Sequence, residues 1–204
     1  MKRILTTLSL SLCIMSVAFP QKSPVKYGVK AGINISNLRI SGNGMSVNLS
    51  SLVGFNGGFF AELPVSEQFA IQPELAYSML GAKLKGSFDT ELGELDNVKL
   101  KTNYLTIPVL AKFKIPNSGF GIYAGPQYGI LLSAKATAGS ESGNNKEEYK
   151  SGDFSGVFGT EYFFSNGLGL SARYQLGFSN IAKEAEAGSS MKNNTFTFTL
   201  GYKF

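Results

Sequence analysis

The stretch Thr195-Phe196-Thr197-Phe198-Thr199-Leu200-Gly201-Tyr202-Lys203-Phe204 carries apolar side chains at every even position and small, hydroxylated or charged ones at every odd position. A period of two belongs to a β-strand, whose successive side chains point to opposite faces. The stretch is therefore a strand with one oily face and one polar face.

Seven earlier segments repeat the pattern. In 25–35, Tyr27, Val29, Ala31, Ile33 and Ile35 oppose Lys26, Gly28, Lys30, Gly32 and Asn34. In 52–62, Val53, Phe55, Phe59 and Ala61 oppose Gly54, Asn56, Gly58 and Glu62, and Phe60 breaks the rule. In 68–79, Phe69, Ile71, Leu75, Tyr77 and Met79 oppose Gln68, Gln72, Glu74 and Ser78, with Pro73 costing a ladder bond. Segment 101–114 sets Leu105, Ile107, Val109, Ala111 and Phe113 against Thr106, Pro108, Lys112 and Lys114, and Pro108 suggests a bulge. Segment 119–132 sets Phe120, Ile122, Ala124, Tyr128, Ile130 and Leu132 against Gly121, Tyr123, Gly125, Gln127 and Gly129. Segment 153–164 opposes Phe154, Phe158 and Tyr162 to Ser155, Gly159 and Glu161, and 168–181 opposes Leu168, Leu170, Tyr174, Leu176 and Phe178 to Gly169, Ser171, Arg173, Gln175 and Gly177.

Connections alternate in length. Residues 63–67, 115–118 and 165–167 are tight turns with Pro, Asn, Gly or Ser, whereas 36–51, 80–100, 133–152 and 182–193 are long and polar. Short turns on one side and long loops on the other describe a membrane meander with short periplasmic turns and longer external loops. Alternation alone also fits a soluble barrel or sandwich, in which the apolar face points inward. The polar faces decide between them. They are rich in glycine, which weakens a strand unless close packing requires it, and inside a narrow barrel glycine leaves room for Lys30, Glu74, Tyr123, Glu161 and Arg173 to pass one another. About ten residues at roughly 3.3 Å each, tilted near 45°, also cover close to the 25 Å apolar band of such barrels. The expected fold is all-β: an eight-stranded antiparallel up-and-down transmembrane β-barrel over residues 25–204.

The amino terminus reads as an export leader. Lys2 and Arg3 precede an apolar stretch, Ile4 to Val17, and Ser16-Val17-Ala18 is a small-x-small cleavage site, so residues 1–18 are expected to be a cleaved signal peptide followed by a short segment, 19–24. The apolar stretch is shorter than the roughly 20 residues a spanning helix needs. The single cysteine, Cys13, lies within it and follows Leu12, which does not suit a lipoprotein site. The mature chain then has no disulfide and no thiolate chemistry.

Of the 204 residues none is histidine, which removes Ser-His-Asp catalysis and the usual zinc and non-haem iron ligand sets. No pair of carboxylates stands out, so no enzyme activity is expected. No cofactor or metal is expected either: the acidic loop residues Asp89, Glu91, Glu94 and Asp96, and Glu141, Glu147 and Glu148, lack the spacing of an EF-hand loop. The net charge of +5 includes Lys2 and Arg3, and the remaining basic residues are scattered among acidic ones, so no nucleic-acid partner is expected.

The runs Asn103-Tyr104-Leu105-Thr106-Ile107-Pro108-Val109, Gly121-Ile122-Tyr123-Ala124-Gly125-Pro126-Gln127-Tyr128-Gly129, Asp153-Phe154-Ser155-Gly156-Val157-Phe158-Gly159 and Ala172-Arg173-Tyr174-Gln175-Leu176-Gly177-Phe178 resemble the PorT-like outer-membrane β-barrel proteins of Bacteroidetes. The resemblance extends from about Tyr27 to Phe204 and implies a bacterial outer-membrane location. The aromatic end, Leu200, Tyr202 and Phe204, resembles the insertion signal of such barrels, which implies the barrel-assembly machinery as a partner during biogenesis and outer-membrane lipid as the surroundings.

Eight strands enclose an interior just wide enough for side chains, so Lys26, Lys30, Glu74, Lys112, Glu161 and Arg173 are candidates for a luminal charge network. Buried charges must be paired or hydrated, and such a network either plugs the lumen or lines an ion path. Two functional classes follow. One is a structural or accessory envelope barrel acting through contacts with other envelope proteins; the other is a surface ligand-binding or small-solute transport barrel. A soluble lipocalin-like binder would need the alternation inverted.

Overall fold

The computed structural model describes residues 24–42, 45–84, 88–90, 93–95, 98–138, 141–184 and 189–204. The expected leader, 1–18, and the segment 19–24 up to residue 23 lie outside the described residues. Eight strands form the wall: β1 (Lys26–Gly42), β2 (Ser50–Pro64), β3 (Phe69–Lys83), β4 (Lys99–Lys114), β5 (Phe120–Ala138), β6 (Gly152–Phe163), β7 (Leu168–Gly177) and β8 (Ser190–Lys203). Each pairs antiparallel with its sequence neighbours, and β8 returns to pair with β1 from Gly28↔Lys203 to Ser41↔Ser190. The sheet is thus a closed barrel without a free edge along its wall, as a membrane-spanning sheet must be.

Exposure settles which face looks where. Phe198 is 48% and Leu200 67% exposed, whereas Thr197 and Thr199 between and beside them are 4% and 6% exposed. The same inversion runs around the wall. Tyr27, Phe55, Phe59, Leu75, Ile122, Phe158 and Leu170 point outward, and Lys30, Asn34, Glu74, Lys112, Gln127 and Glu161 are buried inside. An outward apolar face over a polar interior is stable only in a lipid solvent.

Several strands run beyond the expected limits. β1 continues to Gly42 rather than ending near residue 35, β5 reaches Ala138 rather than 132, and β8 begins at Ser190 rather than 195. The ladder persists there, for example Ile40↔Met191. Beyond the bilayer the outer face of a strand meets water while the inner face, with Leu38, Leu131 and Ala134, stays buried, so the apolar-outside period vanishes while the hydrogen bonding continues. Short hairpin strands, Met45–Asn48 on β1 and Glu141–Asn144 on β5, extend this rim. A separate two-stranded hairpin, Phe88–Thr90 with Gly93–Leu95, lies in the loop between β3 and β4.

β7 stops at Gly177 rather than continuing to 181. There the Ser179 hydroxyl donates to Asp153 Oδ1 and accepts from the Phe154 N–H, and Asn180 Oδ1 accepts from the N–H groups of Ala182 and Met191. These bonds turn the chain inward. The bulge expected at Pro108 is absent, since Pro108↔Gln127 and Ala111↔Ala124 share one register; the irregularity lies instead at Asn103/Tyr104. A proline forfeits a ladder bond without forcing an extra residue into the strand. A second irregularity interrupts β2–β3 between Ser51 and Asn56. Ser36 of β1 clamps it, its hydroxyl accepting from the Gly81 N–H at 2.9 Å and lying 3.0 Å from the Gly81 carbonyl. The periplasmic turns are as short as expected, with Asn117 and Gly167 in left-handed conformations at φ 57° and 86°.

Candidate functional site

The lumen is filled in layers. In the periplasmic half Glu74 of β3 receives a bidentate pair from Arg173 of β7, at 2.9 and 3.1 Å, and an ion pair from Lys30 of β1. Gln72 extends the network, its amide donating to Glu74 Oε1 at 2.9 Å and its carbonyl accepting from Lys112 at 3.0 Å. Lys112 pairs with Glu62 at 2.6 Å and with Glu161, and Glu62 also accepts from Lys203 at 2.8 Å. Arg173 stacks on Tyr123, with the guanidinium carbon 5.2 Å from the ring centroid, a cation–π contact in a dry site.

Below the Arg173–Glu74–Lys30 layer, beside the Glu62–Lys112–Lys203 cluster that opens to the periplasmic end, two aromatics form a floor. Phe60, the residue that breaks the alternation of β2, is 5% exposed and packs inside the barrel against Phe163 with centroids 6.1 Å apart. Any Cβ at Gly28 would collide with the Phe60 ring, and one at Gly169 with Phe163. These two glycines are the space the floor occupies.

Above the ion pairs lies a hydrogen-bonded polar band that holds one carboxyl group, Asp153. Asn34 donates to Ser78 at 2.8 Å and accepts from Thr197 at 2.7 Å, and Asp153 Oδ2 accepts from Asn193 at 2.9 Å. The external end is apolar: Leu38, Leu80, Ala82, Tyr104, Leu131, Ala134, Tyr149 and Ile181 form one buried cluster, with Leu49, Leu100 and Met191 against it. Loops 145–151 and 178–184 supply the lid. The Lys150 N–H donates to the Ile181 carbonyl, the Lys183 N–H to Glu148 and the Ile181 N–H to Met191, so Tyr149 and Ile181 are held inward. Burial pushes the Tyr149 hydroxyl pKa above its ordinary value, and nearby Glu148 adds to the shift.

Of the residues singled out in the sequence, Lys30, Glu74, Lys112, Glu161 and Arg173 meet in one network. Lys26 does not join it; it stands exposed at the periplasmic rim, in register with Glu62 on β2. Leu200, Tyr202 and Phe204 lie exposed on the outer face, where Tyr202 and Phe204 meet edge to face at 5.2 Å and the Phe204 N–H bonds the Tyr27 carbonyl. Sequence reasoning missed Glu62, Gln72 and Lys203 as network members. All three sit at polar-face parity, but partners across the lumen depend on stagger, which parity does not encode. The side chains of Asp89, Glu91, Glu94, Asp96 and Glu141 lie outside the described residues, and among the described residues no acidic group is arranged to hold a metal.

A closed, inside-out barrel with a packed polar lumen defines an integral outer-membrane β-barrel protein of the bacterial envelope. The sequence matches the outer membrane protein beta-barrel domain family over residues 19–183, and the chain belongs to that family. Among solved structures it is similar to Neisserial surface protein A, with a TM-score of 0.58 at 13% identity over 89% of this chain and 100% of the other. It is also similar to Ail, the attachment invasion locus protein of Yersinia pestis, with a TM-score of 0.50 at 14% identity and the same coverage. At these identities the likeness is one of fold. No curated protein matches the sequence.

Proposed function

We propose that the protein is a structural or accessory component of the outer membrane, working through its rigid wall and its contacts with other envelope proteins rather than as a pore or an enzyme. The observation that supports this is the double closure of the lumen, by the Arg173–Glu74–Lys30 layer and by the apolar lid of Tyr149 and Ile181. A solute would have to break buried, mutually compensating ion pairs and displace a packed apolar cluster, each unfavourable by several kcal/mol. Transport through the lumen would require both layers to open.

The PorT-like resemblance fits this reading, as does an exported precursor whose leader is cleaved after Ala18 and whose barrel is inserted by the assembly machinery through the Leu200, Tyr202, Phe204 end. The test is conductance. The mature chain, folded into planar bilayers and verified by heat-modifiable gel migration, is expected to give no steady current. Reproducible single-channel steps would replace this proposal with the transport reading.

A further inference from the structure

At the periplasmic end the lumen opens into a cavity of about 530 Å3 between the β4–β5 and β6–β7 turns, within the range of small-molecule sites. The charges facing it are unbalanced. Lys26, Lys112, Lys114 and Lys203 line the cavity against two side-chain carboxylates, Glu62 and Glu161, and the α-carboxyl group of Phe204 at its rim. Glu62 already holds Lys112 and Lys203, and Lys114 approaches it only to 3.7 Å. One layer deeper, Lys30 and Arg173 share the single carboxylate of Glu74.

Toward the mouth the lysines are more accessible than the acid they face, whereas Lys112 and its partner Glu161 are both buried, at 2% and 6% side-chain exposure. The side chains of Lys114 and Lys203 are 28% and 14% exposed while that of Glu62 is 2% exposed, so the cavity presents ammonium groups and hides the carboxylate. Lys203 Nζ is held 3.9 Å from the centroid of the Phe163 ring, which fixes one of these groups over the apolar floor. A concave mouth with an excess of positive charge, in a wall of low dielectric, concentrates potential and draws in counter-ions.

We propose that this vestibule is a periplasm-facing binding site for a phosphate-bearing small anion. Its cations supply the charge, and the Phe60–Phe163 floor stops the ligand from entering the sealed lumen. Two sources offer that chemistry, a soluble phosphate compound and the headgroup of an inner-leaflet phospholipid. The site does not depend on the structural role proposed above, since conductance decides that role and anion titration decides this one.

The test is calorimetric titration of inorganic pyrophosphate into the folded barrel in non-ionic detergent at low salt. Saturable binding is expected, weakened at least about tenfold in the Lys26→Gln/Lys114→Gln double variant. Both lysines lie toward the rim, and unchanged heat-modifiable migration of the variant will show that its fold is intact. Repeating the titration in lipid nanodiscs separates the sources: binding lost in the presence of phosphatidylglycerol assigns the site to a headgroup, and binding retained assigns it to a soluble anion. No saturable binding in detergent, or equal affinity in the folded double variant, overturns the proposal.

Discussion

Glu74 is the residue on which the interior turns, because one carboxylate satisfies two cations and a glutamine amide. Replacing it by the isosteric amide, Glu74→Gln, keeps the shape and removes the charge. Lys30 and Arg173 are then left buried without compensation, and the expected loss is about 3–5 kcal/mol of folding stability. Urea unfolding in lipid vesicles checks this, and an unchanged midpoint would mean that the carboxylate does not compensate the pair. Gly28 offers a steric counterpart. A valine there meets the Phe60 ring and the Tyr202 carbonyl, so Gly28→Val is expected to slow or prevent folding, and restoring room with Phe60→Ala is expected to recover part of the loss. If the double variant folds no better than Gly28→Val alone, the floor is not the reason for the glycine.

At the scale of the strand the two faces predict opposite responses to the same side chain. Leu170 and Phe198 are about half exposed on the outer wall, and arginine at either is expected to cost roughly 2–4 kcal/mol near the bilayer midplane. Arginine at Ser171, whose hydroxyl lies 2.6 Å from that of Thr199, acts instead by crowding the lumen beside Arg173. Vesicle unfolding at matched pH separates the two, because only the outer-face penalty should vary with bilayer thickness. Equal thickness dependence at both parities would contradict the face assignment. Removing Phe204 is expected to slow membrane assembly in cells while leaving the folded barrel's stability nearly unchanged; normal assembly kinetics would make the terminal aromatic incidental. The strand faces were legible in the sequence because lipid forces outward side chains such as Phe196 and Leu200 to be apolar. The upper halves of β1, β5 and β8 were not, because their outer side chains face water rather than lipid while the buried inner face mixes apolar Leu38, Leu131 and Ala134 with polar Asn193, so no apolar-outside period is imposed there. Phe60 looked like an error of pattern and is instead a luminal packing residue.

Across the whole molecule the interior changes character from end to end: a cationic vestibule, an ion-paired layer, a hydrogen-bonded polar band and an apolar lid. Individual charges such as Lys30, Glu74 and Arg173 could be read from their parity. Their convergence depends on barrel closure and strand stagger, which bring Glu62 of β2 to Lys112 of β4 and to Lys203 of β8. The lid was hidden for a related reason: Tyr149 and Ile181 come from loops whose mutual bonding has no periodic signature. All of these layers presuppose that the outer wall faces lipid. Photolabelling of the reconstituted protein with a diazirine-bearing phospholipid, with adducts located by tandem mass spectrometry along β8, tests that directly. The account predicts adducts at Phe196, Phe198 and Leu200 and none at Thr197 or Thr199; labelling at the threonines, or at both parities alike, would contradict it.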